Sequence, residues 1–128
     1  MVFALQVTRV MSPDGRIDLT RLAQRSVLPL AAQYVAHAVG GKLRLVPRDD
    51  TELDPDAVVF RTGRTEVGRR SFTWLYLNGG SGRRGRPSAE ATKRAEALLT
   101  AAGIPRRGRP REVVVRLEPG DLVITRRA

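Results

Sequence analysis

The chain ends in two β-rich runs around a turn, Glu112-Val113-Val114-Val115-Arg116-Leu117-Glu118-Pro119-Gly120-Asp121-Leu122-Val123-Ile124-Thr125-Arg126. β-Branched and apolar residues fill 112–117 and 122–126, and such residues favour strands. Pro followed by Gly at the two central turn positions is typical of a type II turn. The sequence therefore predicts a terminal β-hairpin.

Upstream of the hairpin, further apolar runs predict more strands. Val2 to Val10 is followed by the turn signal Ser12-Pro13-Asp14-Gly15, so it predicts a first strand. Residues 43–46 and 58–60 predict short strands. The run 72–77, Phe-Thr-Trp-Leu-Tyr-Leu, predicts a strong strand with apolar residues on both faces, which we expect near the centre of the sheet.

Two segments carry helical patterns. Leucine, alanine and valine recur at helical spacing across residues 19–39, with a break or a new first turn at Pro29, which predicts a core helix or helix pair. Ser88 is a good N-cap for a second helix over 89–102, which Gly103 and Pro105 would end.

These elements predict an α+β protein: a single small mixed domain with an N-terminal helical region, short β-strands, a C-terminal helix and a terminal β-hairpin. A chain of 128 residues with 41% hydrophobic content suits one core. We expect a neutral α+β core over 1–78 and a basic segment over 79–128 that belongs to the same domain.

The charge of the chain lies entirely in its second half. Residues 1–60 carry seven basic and seven acidic side chains, whereas 61–128 carry sixteen basic and six acidic, which accounts for the net charge of +10. Clustered arginine gains free energy by neutralising phosphates and releasing their counterions. The asymmetry favours a nucleic-acid partner, although a solvated basic face in an arginine-rich composition is the alternative.

The tetrapeptide Arg-Gly-Arg-Pro occurs twice, at 84–87 and 107–110, and each copy follows another arginine. Both copies resemble the AT-hook, a short DNA-binding motif with this core and basic flanks. By that resemblance Gly lets an extended backbone enter a narrow A·T minor groove, whose negative potential attracts arginine. The nucleic-acid-binding residues would then be Arg83, Arg84, Gly85, Arg86, Pro87, Arg106, Arg107, Gly108, Arg109, Pro110 and Arg111.

A second resemblance points to RNA. Residues 95–104 followed by 117–124 are similar to the second half of a small RNA-binding domain found in a ribosomal small-subunit protein and in pseudouridine synthases. That domain pairs a helix ending in Gly with a strand carrying Pro-Gly-Asp. The resemblance leaves RNA open as a partner.

A secondary basic loop precedes the strongest predicted strand. Its arginines could form a basic surface beside a stacking platform made by Trp74 and Tyr76. The apolar character of 72–77 favours the other interpretation, a solvated loop with Trp74 in the core. The arginines of this loop are Arg61, Arg64, Arg69 and Arg70.

Signals of catalysis are weak. The chain has no cysteine, and its one histidine, His37, lies near the predicted end of a helix without a plausible nucleophile beside it. No nucleophile elbow, phosphate loop or metal-ligand spacing is present. We therefore expect no enzyme, no cofactor and no metal. Without a long apolar run we also expect no membrane partner and a cytoplasmic, nucleoid-associated or nucleoprotein location.

The sequence thus predicts a nucleic-acid-binding protein, with DNA favoured and RNA possible, of nucleoid type or regulatory. In this hypothesis both Arg-Gly-Arg-Pro arms contact the minor groove and phosphates. The alternatives are a structural or assembly component of a phage or ribonucleoprotein, or a small regulator. In these, arginine-rich loops would bind RNA or an acidic protein partner. A homo-oligomer is a further possible assembly.

Overall fold

The computed structural model describes residues 5–26, 29–48, 56–78, 88–105, 109–118 and 120–127. Within these ranges the chain forms eight strands and two helices. In chain order they are β1 (Leu5–Met11), β2 (Arg16–Asp18), α1 (Thr20–Arg25), β3 (Gln33–Val39), β4 (Lys42–Pro47), β5 (Val58–Val67), β6 (Arg70–Tyr76), α2 (Ala89–Ala101), β7 (Arg111–Glu118) and β8 (Asp121–Arg126).

The strands form one sheet in the order β1-β7-β8-β4-β3-β5-β6-β2, and the strand pairs are antiparallel. The two ends of this order, β1 and β2, are consecutive in the chain and are joined by the turn at 12–15. The sheet therefore curls until it nearly closes. The predicted α+β class is wrong, because the described chain is mostly antiparallel β with two short helices.

The predicted helical region over 19–39 is the main error. Among the described residues of that region only α1 is helical, and residues 33–39 form β3, with Tyr34 and Ala36 buried between more exposed neighbours. That alternation is the period of a strand. Pairing of β3 with β4 on one side and β5 on the other overrides the helical spacing of the apolar residues.

Gly40 and Gly41 do not end a helix. They form the two-residue loop of the β3–β4 hairpin, in which Val39 pairs with Lys42. Both glycines have positive φ, 57° and 74°, the conformation that a type I′ hairpin turn requires at both central positions. The Gly-Gly pair therefore forms the turn that lets β4 pair antiparallel with β3.

Other predicted elements are confirmed. The terminal hairpin forms as expected, with Glu118 opposite Asp121 and Gly120 at φ 82°. The Ser88 hydroxyl accepts the backbone N–H of Ala91 at 3.1 Å and caps α2. At the other end of α2, Gly103 has φ 78°, and the N–H of Ile104 donates to the carbonyl of Leu99 at 2.9 Å, which closes the helix as a Schellman motif.

The described part of the first predicted strand is β1, and residues 43–46 lie in β4. Residues 58–60 begin β5, which is longer than predicted. Residues 72–77 fall in and just after β6, which lies second from the end of the strand order rather than at its centre. β7 and β8 lie between β1 and β4, so the neutral and basic halves contribute to the same sheet.

The hydrophobic core lies on the inner, concave face of the curled sheet. Its largest fully buried side chains include Tyr34, Phe60 and Leu75, and α2 adds Ala95 and Leu99 to the same cluster. Because side chains alternate along a strand, the residues between these buried positions face outward. The outer face of β5, β6 and β2 is where the candidate site lies.

Candidate nucleic-acid interface

The first predicted arm, Arg83 to Pro87, lies outside the described residues. Of the second arm, Arg106, Arg107 and Gly108 also lie outside them, whereas Arg109 and Pro110 are described and exposed. Arg111 is the first residue of β7, and its Nε donates to the carbonyl of Pro105 at 2.7 Å. Groove reading by the two arms therefore stays a prediction.

The described residues next to the two arms lie beside the same turn. The N–H of Leu77, two residues before the first arm's segment 79–87, donates to the carbonyl of Gly15 at 2.7 Å. Arg111, the last residue of the second arm, pairs with Met11 across β1 and β7. Met11 directly precedes the turn at 12–15 and Gly15 is its last residue, so the end of β6 and the start of β7 both lie beside this turn.

The secondary basic loop is a hairpin of two strands rather than a loop. Arg61 and Arg64 lie on β5, Arg70 begins β6, and Arg69 lies in the turn between them. Buried Phe60 and Leu75 fix which positions face inward. By alternation from these positions, Arg61 and Arg70 face outward and Arg64 faces the opposite side.

Three aromatic side chains follow one another on the outer face of β6. Phe72, Trp74 and Tyr76 occupy alternate positions, and each is neither fully buried nor fully exposed. The rings of Phe72 and Trp74 are stacked, with centroids 6.5 Å apart and an angle of 29° between their planes. We call these three residues the aromatic ladder. The interpretation that placed Trp74 in the core is wrong, because the inward position of this strand is Leu75.

Arginines from both neighbouring strands lie over the ladder. The Arg61 guanidinium of β5 is 4.3 Å from the centre of the Tyr76 ring. The Arg16 guanidinium of β2 is 5.3 Å from the centre of the Trp74 ring, and its Nε is also 3.1 Å from a carboxylate oxygen of Asp14. Each contact is within the range of a cation–π interaction. We call the ladder together with Arg16, Arg61 and Arg70 the arginine–aromatic face.

Gly63 makes room for this arrangement. It lies opposite Trp74 on the outer face of β5, and a Cβ added to it would lie 3.0 Å from Cε2 of Tyr76 and 3.6 Å from a terminal nitrogen of Arg61. The first distance is shorter than ordinary van der Waals contact. Glycine at this position therefore allows the Tyr76 ring and the Arg61 side chain to lie flat over β5.

Two arginines elsewhere on the sheet are paired with carboxylates. Arg44 of β4 contacts Asp121 at 3.0 Å and Glu118 at 3.3 Å, and hydrogen bonds to these carboxylates raise its pKa above the ordinary value. Arg127 contacts Glu112 at 2.9 Å. Among the described residues, by contrast, no carboxylate lies within ion-pair distance of the four hairpin arginines, Arg61, Arg64, Arg69 and Arg70.

Sequence reasoning missed Arg16 and Gly63 as contributors to this surface. The alternation of Phe72, Trp74 and Tyr76 is itself visible in the sequence, and it is the period-two signal of an aromatic strand face. Arg16 is distant in sequence and reaches the ladder because β2 pairs with β6 in the register Arg16 to Tyr76. Only the strand pairing shows this contact.

No acid–base centre is evident in the part of the chain that the structure describes. His37 is exposed on β3 opposite Arg44, not at a helix end as predicted. Tyr34 is buried, and the loss of solvation raises the pKa of its hydroxyl. The Tyr34 oxygen accepts the N–H of Ala31 at 2.9 Å, which is a structural role. Across the same residues no three His, Asp or Glu side chains lie together as metal ligands.

None of the helices in the described ranges is long and apolar enough to cross a membrane. No protein-family model matches the chain, and neither a curated protein nor a solved structure matches it. Function must therefore be inferred from the surface itself, and the most distinctive surface is an outer sheet face on which arginines lie over partly exposed aromatic rings.

Proposed function

We propose that the protein binds nucleic acid and that single-stranded DNA or RNA lies on the arginine–aromatic face. The observation that carries the proposal is the placement of Arg61 and Arg16 over two rings of the ladder. Among the described residues, Arg61 and Arg70 of this face have no carboxylate within ion-pair distance, whereas Arg16 is paired with Asp14. The face combines positive charge with aromatic rings that are accessible in part.

Both features suit an unpaired strand. Exposed bases stack on aromatic side chains with a contribution of about 1–3 kcal/mol per base, and guanidinium groups contact phosphates or stack on bases. In a duplex the faces of the bases are covered by the neighbouring base pairs. The aromatic rings of the ladder therefore find no free base face on which to stack. The ladder therefore favours single strands over duplex of the same sequence.

The two Arg-Gly-Arg-Pro arms support a second candidate function, binding to A·T-rich duplex. Leu77, which precedes the segment with the first arm, and Arg111 of the second arm both lie beside the turn at 12–15. Arg16 of the arginine–aromatic face follows that turn directly. Binding of either form is consistent with a nucleoid-type or regulatory role and with a location on nucleic acid.

The test measures anisotropy of labelled oligonucleotides across a salt series. The probes are a single strand, the duplex of the same sequence, an A·T-rich duplex and a G·C-rich duplex. We expect the single strand to bind best, with log affinity falling as log salt rises by roughly 0.7 for each phosphate contacted. Equal binding of all four probes would refute the proposal and direct attention to an acidic protein partner.

Matched variants separate the two surfaces. Arg61→Ala removes one charge from the arginine–aromatic face, and Arg127→Ala removes one charge that is paired with Glu112 away from that face. We expect the first to weaken single-strand binding and to lower the salt slope, and the second to change neither by much. A third variant changes Arg84, Arg86, Arg107 and Arg109 to Ala. Selective loss of A·T-rich duplex binding in that variant would support the AT-hook prediction.

A further inference from the structure

A cavity of about 400 Å³ lies behind the β5–β6 hairpin, on the side opposite the aromatic ladder. Its polar wall comes from inward positions of the hairpin, including Arg64 and Ser71, and from Gln24 of α1. Its apolar wall is formed by Ala23 of α1 and by Leu30. Binding pockets for small molecules combine these features in volumes of roughly 300–1,000 Å³.

Several hydroxyls at the cavity are already engaged in the fold. The Thr62 hydroxyl donates to the carbonyl of Ala31 at 2.7 Å. The Thr20 hydroxyl donates to Asp18 and accepts the N–H of Thr73 at 3.0 Å. These groups shape the wall and have little capacity left for a ligand.

Arg64 and Ser71 differ from them. A terminal nitrogen of Arg64 donates to the Ser71 hydroxyl oxygen at 3.0 Å, so the Ser71 proton points away from Arg64 and most guanidinium donors stay available. Among the described residues neither side chain has a carboxylate within ion-pair distance. Two adjacent donors, one of them charged, are suited to an oxyanion.

We propose that this cavity binds a small organic oxyanion, a phosphate or carboxylate joined to a flat or apolar group. The oxyanion contacts Arg64 and Ser71, and the apolar part lies against Ala23 and Leu30. The site is separate from the proposed single-strand site, because Arg64 faces away from Phe72, Trp74 and Tyr76. Glu66, opposite Ser71 on the same strand face, is a nearby exposed carboxylate that opposes binding.

The experiment follows amide and guanidinium chemical shifts of the full chain by NMR during titration. Four probes divide the chemistry: adenosine monophosphate and benzoate carry an oxyanion and a flat group, adenosine lacks the anion, and inorganic phosphate lacks the flat group. We expect shifts at Arg64 and Ser71, with one or both of the first two probes binding about tenfold more tightly than adenosine and phosphate.

Variants identify the site. Arg64→Gln is expected to weaken that binding about tenfold, and Glu66→Gln to strengthen it about twofold. Arg70→Gln, on the outer face of the same hairpin, is the matched control and should leave it unchanged. Equal binding by Arg64→Gln and the unmodified chain, or shifts confined to Trp74 and Tyr76, would overturn the proposal.

The same variants keep this inference distinct from the proposed function. Arg64→Gln should retain single-strand binding, and Trp74→Ala should retain the oxyanion shifts while losing single-strand affinity. If oligonucleotides fail to bind but the oxyanion still shifts Arg64, the proposed function fails and the cavity site stands. The reverse pattern removes the cavity site alone.

Discussion

Replacing Trp74 by alanine should weaken single-strand binding without unfolding the protein. Trp74 is the middle ring of the ladder, with Phe72 stacked on one side and the Arg16 guanidinium 5.3 Å from its centre. It lies on the outer face between the inward positions of β6, so its removal leaves the buried core in place. The variant therefore tests the ladder more directly than any arginine variant.

The expected loss of affinity in Trp74→Ala is that of one stacking contact between the Trp74 ring and one base. Loss of a base–aromatic stack costs about 1–3 kcal/mol, which corresponds to roughly a 5- to 150-fold weaker affinity. The fold itself loses a cation–π contact of about 0.5–1 kcal/mol and part of the burial of one half-exposed ring. Trp74→Phe keeps an aromatic ring, so its single-strand affinity should lie between those of the unmodified protein and Trp74→Ala, with less than a tenfold loss.

The assay uses the intrinsic fluorescence of Trp74. Trp74 is the one tryptophan of the chain, so its fluorescence reports directly on a base that stacks on the ladder. Titration of the unmodified protein with single strand should quench this fluorescence with the same midpoint as the anisotropy change. The thermal unfolding midpoint of each variant, read by circular dichroism, controls for loss of structure.

Two results would refute the reasoning. If Trp74→Ala binds single strand as tightly as the unmodified chain, the ladder does not stack on bases. If the unmodified protein binds oligonucleotide while its tryptophan fluorescence is unchanged, the strand lies elsewhere and the arms are the first surface to examine.

Two further predictions concern single residues of the fold. Gly63→Ala should change the free energy of unfolding by less than about 0.5 kcal/mol, because two effects offset each other: alanine favours the strand more than glycine does, but its Cβ displaces Tyr76 from Arg61. Single-strand affinity should fall about two- to fivefold, and an unchanged affinity would contradict this prediction. Burial raises the pKa of Tyr34 in the native protein, so the unfolded chain ionises first and stability falls as pH rises above about 10. Tyr34→Phe removes this ionisation and should reduce that loss of stability. Urea unfolding of both proteins between about pH 9 and 11 measures this, and parallel curves would exclude Tyr34 as the cause.

The sequence predicted elements that are set by local chemistry. The terminal hairpin follows from Pro-Gly between two β-rich runs, and α2 follows from Ser88 at one end and Gly103 at the other. These signals act within a few residues, so tertiary structure does not alter them. The strands at 43–46 and 58–60 were predicted for the same reason.

The sequence failed where pairing with distant strands determines the structure. In residues 33–39 the apolar positions fit a helix as well as a strand, and β4 and β5 decide between them. At the candidate site the aromatic alternation was visible, but its exposure was not, because Leu75 rather than Trp74 meets the core. The contact of Arg16 with the ladder depends on β2, a strand of three residues.

An arginine-rich composition by itself does not account for how the arginines are placed. Arg44 on β4 and Arg127 just after β8 are paired with carboxylates, although surface pairs of this kind contribute only about 0–1 kcal/mol to folding. On the β5–β6 hairpin the described residues supply no such partner, and Arg61 lies on a ring instead. On the arginine–aromatic face Arg16 and Arg61 lie over aromatic rings, and Arg61 and Arg70 have no carboxylate within ion-pair distance among the described residues. This arrangement places positive charge beside aromatic rings, and these are the two kinds of contact that an unpaired nucleic-acid strand can use.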